Sequence, residues 1–464
     1  LGLYKFWGLI TINSARVKKL NNKPFREGEY ILYWMQSAQR THYNQALELA
    51  IEQANEKNLP LLVFFGLTPS FPEGNARHYF FLLEGLSVVK EELQQRGIEF
   101  IVWSTEPPAG VKKLGEKARI VITDRGYLGV EKSWRKKAAR LLDCPLIQVE
   151  TNTVVPVEEV SGKEEYAAFT LRKKMKPLLP QFLVKVERAS LKKNSFNFLD
   201  WPSLDLTSPA KILEELAVSP YPDKVKGIKG GSVEALKCLQ DFVDNKLDYY
   251  QEKAGDPAYD YQSGLSPYLH FGQISPLYIA LRVRERESPG TEDFLEQLLI
   301  RRELAFNFVH NNSAYNGPLD RVLPGWAWKT LQDHAPDPRE HLYSLAELEE
   351  AATHDPYWNA AQKEMVRSGK MHGYMRMYWG KKILEWSPAP GEAFSRALYL
   401  NNRYFLDGRD PNSFAGVSWC FGKHDRAWTE RNIFGKVRYM NDRGLKRKFD
   451  MGKYLERVDK LDPV

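Results

Sequence analysis

The chain has 464 residues, 43% hydrophobic and 12% aromatic, too many for one ordinary domain and enough to fill two cores. Its net charge of +7 allows a polyanionic partner without demanding one, and no apolar run approaches the roughly eighteen residues of a membrane helix. Three widely spaced cysteines, Cys144, Cys238 and Cys420, show no CxxC spacing, which argues against a zinc site or a disulfide framework and favours a reducing cytoplasm.

Residues 1–26 begin with an apolar stretch followed by a basic, polar one. The apolar part is too short and too poorly flanked for a secretory signal, so the segment is expected to be an extension outside the fold. From 27 to 155, strands and helices alternate. Tyr30–Trp34, Leu59–Gly66, Ile98–Trp103, Ala118–Thr123 and Pro145–Glu150 are short apolar runs. Tyr43–Lys57, Arg77–Arg96 and Val130–Leu142 carry helical periodicity between them. Such strands separated by helices predict a Rossmann-like parallel sheet covered on both faces. No GxGxxG follows the first strand, so a standard dinucleotide site is not expected there. An auxiliary chromophore would lie at the strand carboxyl ends, where open sheets of this kind bind ligands.

Residues 156–231 loosen into one helical stretch, Glu164–Leu183, and Ser/Lys/Asn/Pro-rich segments, and read as a long linker. From 232 to 464 the periodicity is helical. Ser232 is a candidate N-cap for a helix running to Tyr249 and Tyr250. Further on, Ser263, Gly264 and Ser266 precede Pro267, a plausible first helical residue. Hydroxyls and free N–H groups at a helix start suit a diphosphate; ordinary caps are the alternative. The helix Phe294–Val309 carries Arg301, Arg302 and Glu303 in an apolar setting, with Asn307 one turn beyond. Buried charges need partners, so this helix is expected to line a polar cavity, a solvated face being the alternative.

The stretch from His354 to Trp428 is the most informative. Trp379 and Trp386 share a helix face, separated by about 10 Å along the axis. Arg376 and Met377 crowd into the turn of Trp379, and Asp407-Gly408-Arg409-Asp410-Pro411-Asn412 follows as a polar loop before Trp419. A tryptophan-rich core would explain the rings. It would not explain the loop, and the combination suggests a site for a large planar ligand.

LSPYLHFGQIS, LLIRRELAFNF, THDPYWNA, GKMHGYMRMYWGKKILEW, LDGRDPN and GKVRYMNDRGLKRKFD occur in that order. Together they resemble the class II cyclobutane pyrimidine dimer (CPD) photolyases of the photolyase/cryptochrome family, over residues 29–455. The resemblance implies an α/β domain, a long linker and an all-helical domain holding FAD. It implies light-driven repair in which reduced FAD passes an electron to a dimer flipped out of double-stranded DNA; photolyases are a standing example of base flipping. It also implies a monomer, and an antenna chromophore (a deazaflavin or a folate) in the first domain. A cryptochrome-like FAD light receptor without repair is the alternative.

The same resemblance assigns roles. Tyr250, Ser263, Gly264, Leu265, Ser266 and Gln273 would contact the phosphates and ribityl chain, with Glu303 and Asn307 nearby. Arg376 and Asp407 would pair beside the flavin ring, and Gly408, Arg409 and Asp410 would line its edge. Better-known relatives place an asparagine at flavin N5; the aligned position here is Ser413 or Phe414, and Asn401 is expected to serve instead. Trp358, Trp379 and Trp386 would carry electrons to oxidised flavin, with Trp379 nearest because it shares a turn with Arg376. Met377 and Trp419 would pack on the dimer. Arg301 stands where some relatives carry a second tryptophan, and Gln297 where relatives tend to have a carboxylate. Glu296 is about 100° away on the helix and must face elsewhere. Lys436, Arg438, Arg443, Lys446, Arg447 and Lys448 form a basic group suited to DNA phosphates, which set affinity rather than sequence choice.

Overall fold

A computed structural model describes residues 12–196, 198 and 201–462. Its first domain is built on a sheet of six strands: β1 (Val17–Lys19), β2 (Tyr30–Trp34), β3 (Leu61–Leu67), β4 (Glu99–Ser104), β5 (Ala118–Asp124) and β6 (Leu146–Val149), in the order β1-β6-β5-β2-β3-β4. The five apolar runs became β2 to β6, all paired in parallel. Every residue of β2 and β3 is buried, which is why these strands read as unbroken apolar runs. Helices α1 (Gln45–Lys57), α2 (Ala76–Gln95), α3 (Pro107–Gly115) and α4 (Gly129–Leu141) connect them. Asn44 starts α1 by accepting from the N–H groups of Ala46 and Leu47, both at 3.1 Å.

Residues 12–26 are not outside the fold, contrary to expectation. β1 runs antiparallel along β6, with Val17 opposite Val149. Arg16 is buried, and its guanidinium donates to the carbonyls of Glu150, Thr153 and Val154. A three-residue strand reading Val-Lys-Lys has no hydrophobic period, and its charge is what a sheet edge favours. Residues 1–11 of the expected extension lie outside the described residues.

The segment after β6 wraps the first domain. Leu171, Met175, Phe182 and Leu206 join its core. Along β4, the Leu204 N–H donates to the Val102 carbonyl, and the Val102 and Glu99 N–H groups donate to the hydroxyls of Ser203 and Ser195. The segment thereby covers the other edge of the sheet.

The second domain is helical. The elements that matter for the site are α5 (Arg302–Asn311), α6 (Pro356–Ser368), α7 (Gly373–Glu385), α8 (Pro390–Tyr404) and α9 (Pro411–Cys420). A π-turn, Glu296–Arg301, leads into α5; such turns inside helices are frequent at functional sites. Ser232 is the first helical residue rather than the N-cap, which is Gly231. Its hydroxyl donates instead to Glu92 of α2 at 2.6 Å, a partner from the other domain. No helix among the described residues is long and apolar enough to cross a membrane.

The two domains lock through buried polar groups. Arg40, after β2, donates to Asn152 Oδ1 at 2.8 Å and to the Gly272 carbonyl at 2.9 Å. Gly272 has φ +67°, and a Cβ there would lie 1.8 Å from the Ser37 carbonyl oxygen, so only glycine permits this approach. Arg77 of α2 reaches α6 and α8, donating to the carbonyls of Val366 and Tyr404 at 2.6 Å each.

Candidate active site

A cavity of about 460 Å³ opens among the serine-rich loop, the π-turn, α7 and the loop before α9. That volume suits a cofactor-sized ligand. Tyr250, Ser263, Gly264, Leu265 and Ser266 form one wall. Gly264, at φ +68°, makes the serine loop turn, and the Cys238 thiol donates to the Ser263 carbonyl at 3.0 Å beneath it. Arg376, Asp407 and Asp410 form another wall, and Gln297 a third.

The Arg376–Asp407 pair is formed, at 3.1 Å, with the guanidinium 3.8 Å above the Phe405 ring. Arg376 Nε is buried without a partner. Asp410 caps α9 by accepting from the Asn412 N–H at 2.8 Å and lies 3.2 Å from His270. Burial alone would raise its carboxyl, but the His270 contact and the nearby Arg302 hold it below the usual range. Asn401, fully buried on α8, donates from Nδ2 to Asn402 Oδ1 at 2.9 Å. Its Oδ1 has no partner, which is rare for a buried acceptor.

Several residues expected at the cofactor are elsewhere. Gln273 joins the domains, with Oε1 accepting from the Gly231 N–H at 2.7 Å and Nε2 donating to the Phe81 carbonyl at 3.2 Å. Glu303 turns from the cavity to accept from the Val154 N–H at 2.5 Å, and burial pushes its carboxyl up to about 8. Asn307 holds the wrapping segment through the Glu165 N–H at 2.7 Å and the Lys163 carbonyl at 3.0 Å. The buried polar groups on α5 therefore satisfy the backbone of the segment after β6, and Arg302 is the residue of that run on the cavity wall. Gly408 sits in the turn before α9, its N–H donating to the Phe405 carbonyl at 3.0 Å. Arg409 points at the first domain, 5.5 Å from the centre of the Phe71 ring. Asn401 is likewise absent from the residues lining the cavity.

His270, Lys370 and Asn412 line the cavity unannounced. Asn412 lay in the quoted DGRDPN loop, and His270 stands one turn after Ser266. Lys370 stands second in the GKMHGYMRMYWGKKILEW stretch, before Met371.

Arg301 is exposed, and its guanidinium lies 5.6 Å above the Trp419 ring. Trp419 and Met377 are both half-buried. Glu296 pairs with Arg172 of the wrapping segment at 2.6 Å, so Gln297 alone of these neighbours reaches the wall. Trp358, Trp379 and Trp386 are buried to 2% exposure or less. Trp358 sits between the other two: its Nε1 donates to the Trp379 carbonyl at 3.0 Å, and its ring is 5.6 Å from that of Trp386. In the basic group, Arg443 and Arg447 are exposed, Lys446 pairs with Asp442 at 3.1 Å, and Arg438 stacks 5.1 Å above Trp428.

A second cavity, about 120 Å³, lies at the carboxyl ends of β2, β3 and β5, lined by Trp34, Thr68, Tyr127 and Trp134 together with Arg409. This is the crevice expected of such a sheet. The whole describes an α/β domain locked to a helical, cofactor-sized pocket.

Known proteins share this plan. A family model described as DNA photolyase matches residues 31–192. A deoxyribodipyrimidine photo-lyase of Methanothermobacter thermautotrophicus is 52% identical over 96% of this chain and 98% of its own length. One from Potorous tridactylus is 39% identical over 94% of this chain and 82% of its own. Among solved structures, a class III photolyase from Agrobacterium tumefaciens has a TM-score of 0.72 at 19% identity, covering 93% of this chain and 87% of that one. An archaeal photolyase from Sulfolobus tokodaii, solved with two FAD molecules, has a TM-score of 0.70 at 16% identity, covering 92% and 89%. The chain belongs to the DNA photolyase family, among the deoxyribodipyrimidine photo-lyases.

Proposed function

We propose that this chain repairs cyclobutane pyrimidine dimers in DNA by a light-driven mechanism, with FAD in the larger cavity. The observation that carries this reading is the convergence of three distant stretches on one cavity: the serine loop, the π-turn with Gln297, and the Arg376–Asp407 pair. The donor set fits the cofactor. Arg376 Nε, on the cavity wall, is a buried donor without a partner; Asn401 Oδ1, also unpartnered, lies behind that wall rather than on it.

Ser263 to Ser266 and Tyr250 would hold the phosphates and ribityl chain. Arg376, fixed by Asp407, would stand beside the ring, where a cation lowers the energy of an anionic reduced flavin. The Asn401 amide, able to donate or accept, would answer a change in the ring's protonation. Bound reduced FAD supplies the electron released by light. Gln297 would hydrogen-bond the flipped dimer, and Met377 and Trp419, with Arg301 above it, would pack against it. Arg443, Arg447, Lys446 and Arg438 would contact the DNA strand. Trp386, Trp358 and Trp379, in that order, would carry electrons inward to restore the reduced state. The cavity at the strand ends would take an antenna chromophore. The protein would act as a monomer in the cytoplasm, associated with the nucleoid if its source is prokaryotic.

The test is loss of thymine dimers from an oligonucleotide under blue light, using FAD-loaded, reduced protein and a dark control. Light-dependent loss supports the repair reading; FAD that photoreduces with no dimer loss favours a light receptor. In the same assay, Trp419→Ala is expected to weaken binding of damaged DNA by about 1–3 kcal/mol, the value of one stacking face, and to spare undamaged DNA. Equal losses on both DNAs place Trp419 outside the lesion pocket. Asn401→Leu is expected to slow flavin photoreduction by about tenfold, equivalent to about 1.4 kcal/mol, as followed by flavin absorbance. An unchanged time course removes Asn401 from the ring.

A further inference from the structure

The aromatic contacts do not end at Trp386. The Tyr343 ring lies 5.3 Å from the Trp386 ring, slightly closer than the 5.6 Å between Trp358 and Trp386. Tyr343 is held in place: its N–H donates to the Trp386 carbonyl at 3.3 Å, and Arg396 donates to its own carbonyl at 2.6 Å. Its hydroxyl contacts His354 Nδ1 at 2.6 Å and accepts from the His354 N–H at 3.0 Å. With the backbone N–H already occupying an acceptor position on the hydroxyl, the phenol proton is left to point at Nδ1.

Exposure rises along the same line. Trp386 is 2% exposed, Tyr343 is half-buried and His354 is exposed. Lys382 Nζ lies 5.6 Å above the Trp386 ring and is paired with Glu385 at 2.6 Å. The remaining groups around the imidazole are His341, 4.0 Å away between ring centres, with Asp355 and Glu340. Burial, then His341 and Lys382, lower the His354 pKa against the two carboxylates. Its Nδ1 therefore carries a lone pair at neutral pH.

We propose that Tyr343 is the surface terminus of the tryptophan path and that His354 accepts its proton. The step balances. The oxidised Trp386 radical cation takes one electron from Tyr343 and returns to neutral indole. The Tyr343 O–H bond breaks, its proton forms a new N–H bond at His354 Nδ1, and a neutral tyrosyl radical remains. The single positive charge moves from the buried indole to an exposed imidazolium, which water stabilises. A thiol in solution then reduces the tyrosyl radical. The separation of charge prevents the electron from simply returning along the path. This inference rests on the tryptophan path of the proposed function.

The experiment is laser-flash absorption on the oxidised, FAD-loaded protein, which distinguishes tryptophan from tyrosine radicals by their spectra. In the unaltered protein a tryptophan radical should decay into a tyrosyl radical, and the conversion should slow in D2O. Tyr343→Phe should abolish the tyrosyl signal and lengthen the tryptophan radical. His354→Asn, which replaces a base with a neutral amide, should slow the conversion by about 100-fold, the usual worth of a positioned base, without slowing formation of the tryptophan radical. A tryptophan radical that never yields a tyrosyl radical, or a tyrosyl signal that survives Tyr343→Phe, overturns the assignment of Tyr343. An unchanged rate in both His354→Asn and D2O overturns the role of His354. No radical of either kind overturns this inference together with the tryptophan path.

Discussion

Replacing Trp379 with phenylalanine is expected to slow light-driven reduction of oxidised flavin by at least about 100-fold, equivalent to about 2.7 kcal/mol in barrier. The same variant, reduced chemically beforehand, is expected to repair dimers at close to the unaltered rate. The two outcomes separate because Trp379 is not on the cavity wall, whereas its backbone carbonyl is the hydrogen-bond acceptor for Trp358 Nε1 at 3.0 Å. Phenylalanine keeps that carbonyl and most of the buried ring but is far harder to oxidise than an indole. The substitution also removes the Trp379 Nε1 donor to Gln362 Oε1 at 2.8 Å, leaving a buried acceptor unpaired. That loss should cost about 1–3 kcal/mol of stability, which a parallel denaturation curve would separate from the electron-transfer effect. Flavin absorbance under blue light, set against repair by dithionite-reduced protein, makes the comparison. Photoreduction that survives in Trp379→Phe would mean that electrons reach the flavin by another route.

Arg77→Met is expected to destabilise the protein by about 3–5 kcal/mol, because one substitution removes the charged donor of several buried carbonyls, each worth about 1–3 kcal/mol. Arg77 is 1% exposed. Its guanidinium donates to four carbonyls, those of Asp223 and Met365 at 3.1 and 3.4 Å and of Tyr404 and Val366 at 2.6 Å each. Methionine fills similar space but supplies no donor; the Met365 carbonyl keeps the Gly369 N–H at 2.9 Å, and the others lose the guanidinium. They come from the wrapping segment, α6 and α8, so the substitution loosens the helical domain from α2 of the first. Urea unfolding followed by tryptophan fluorescence would measure it, and a second transition would indicate that the domains no longer unfold together. Lys446→Ala, on the exposed basic group, should change stability by no more than about 0.5 kcal/mol. A comparable loss in both variants would show that the Arg77 network does not join the domains.

The difference between legible and illegible residues follows the range of the interaction. β2 to β6 and α1 were readable because burial writes a local period into each run, and Asn44 caps α1 within three residues of itself. β1 was not, because Val17-Lys18-Lys19 earns its place by pairing with β6, more than a hundred residues later. Ser232 shows the same limit. Its type and position mark a cap, yet Glu92 on another domain takes its hydroxyl. Arg302, Glu303 and Asn307 could be recognised as buried polar groups needing partners. Which of them faces the cavity depended on where the chain after β6 laid its unpaired N–H and carbonyl groups.

Taken alone, the amino-acid sequence determined the two-part architecture, the tryptophan-rich stretch and the serine loop, all carried by local periodicity or compact motifs; the Arg376–Asp407 pairing was implied only by the family resemblance. Only the tertiary structure decided that Arg409 serves the first domain, that Gln273, Glu303 and Asn307 hold the chain together, and that Trp358 stands between Trp379 and Trp386. It alone revealed the contact of Tyr343 with His354 beside Trp386. A buried polar group takes its partner from whatever backbone the fold brings near, and a helical period records which face is buried but not what it is buried against.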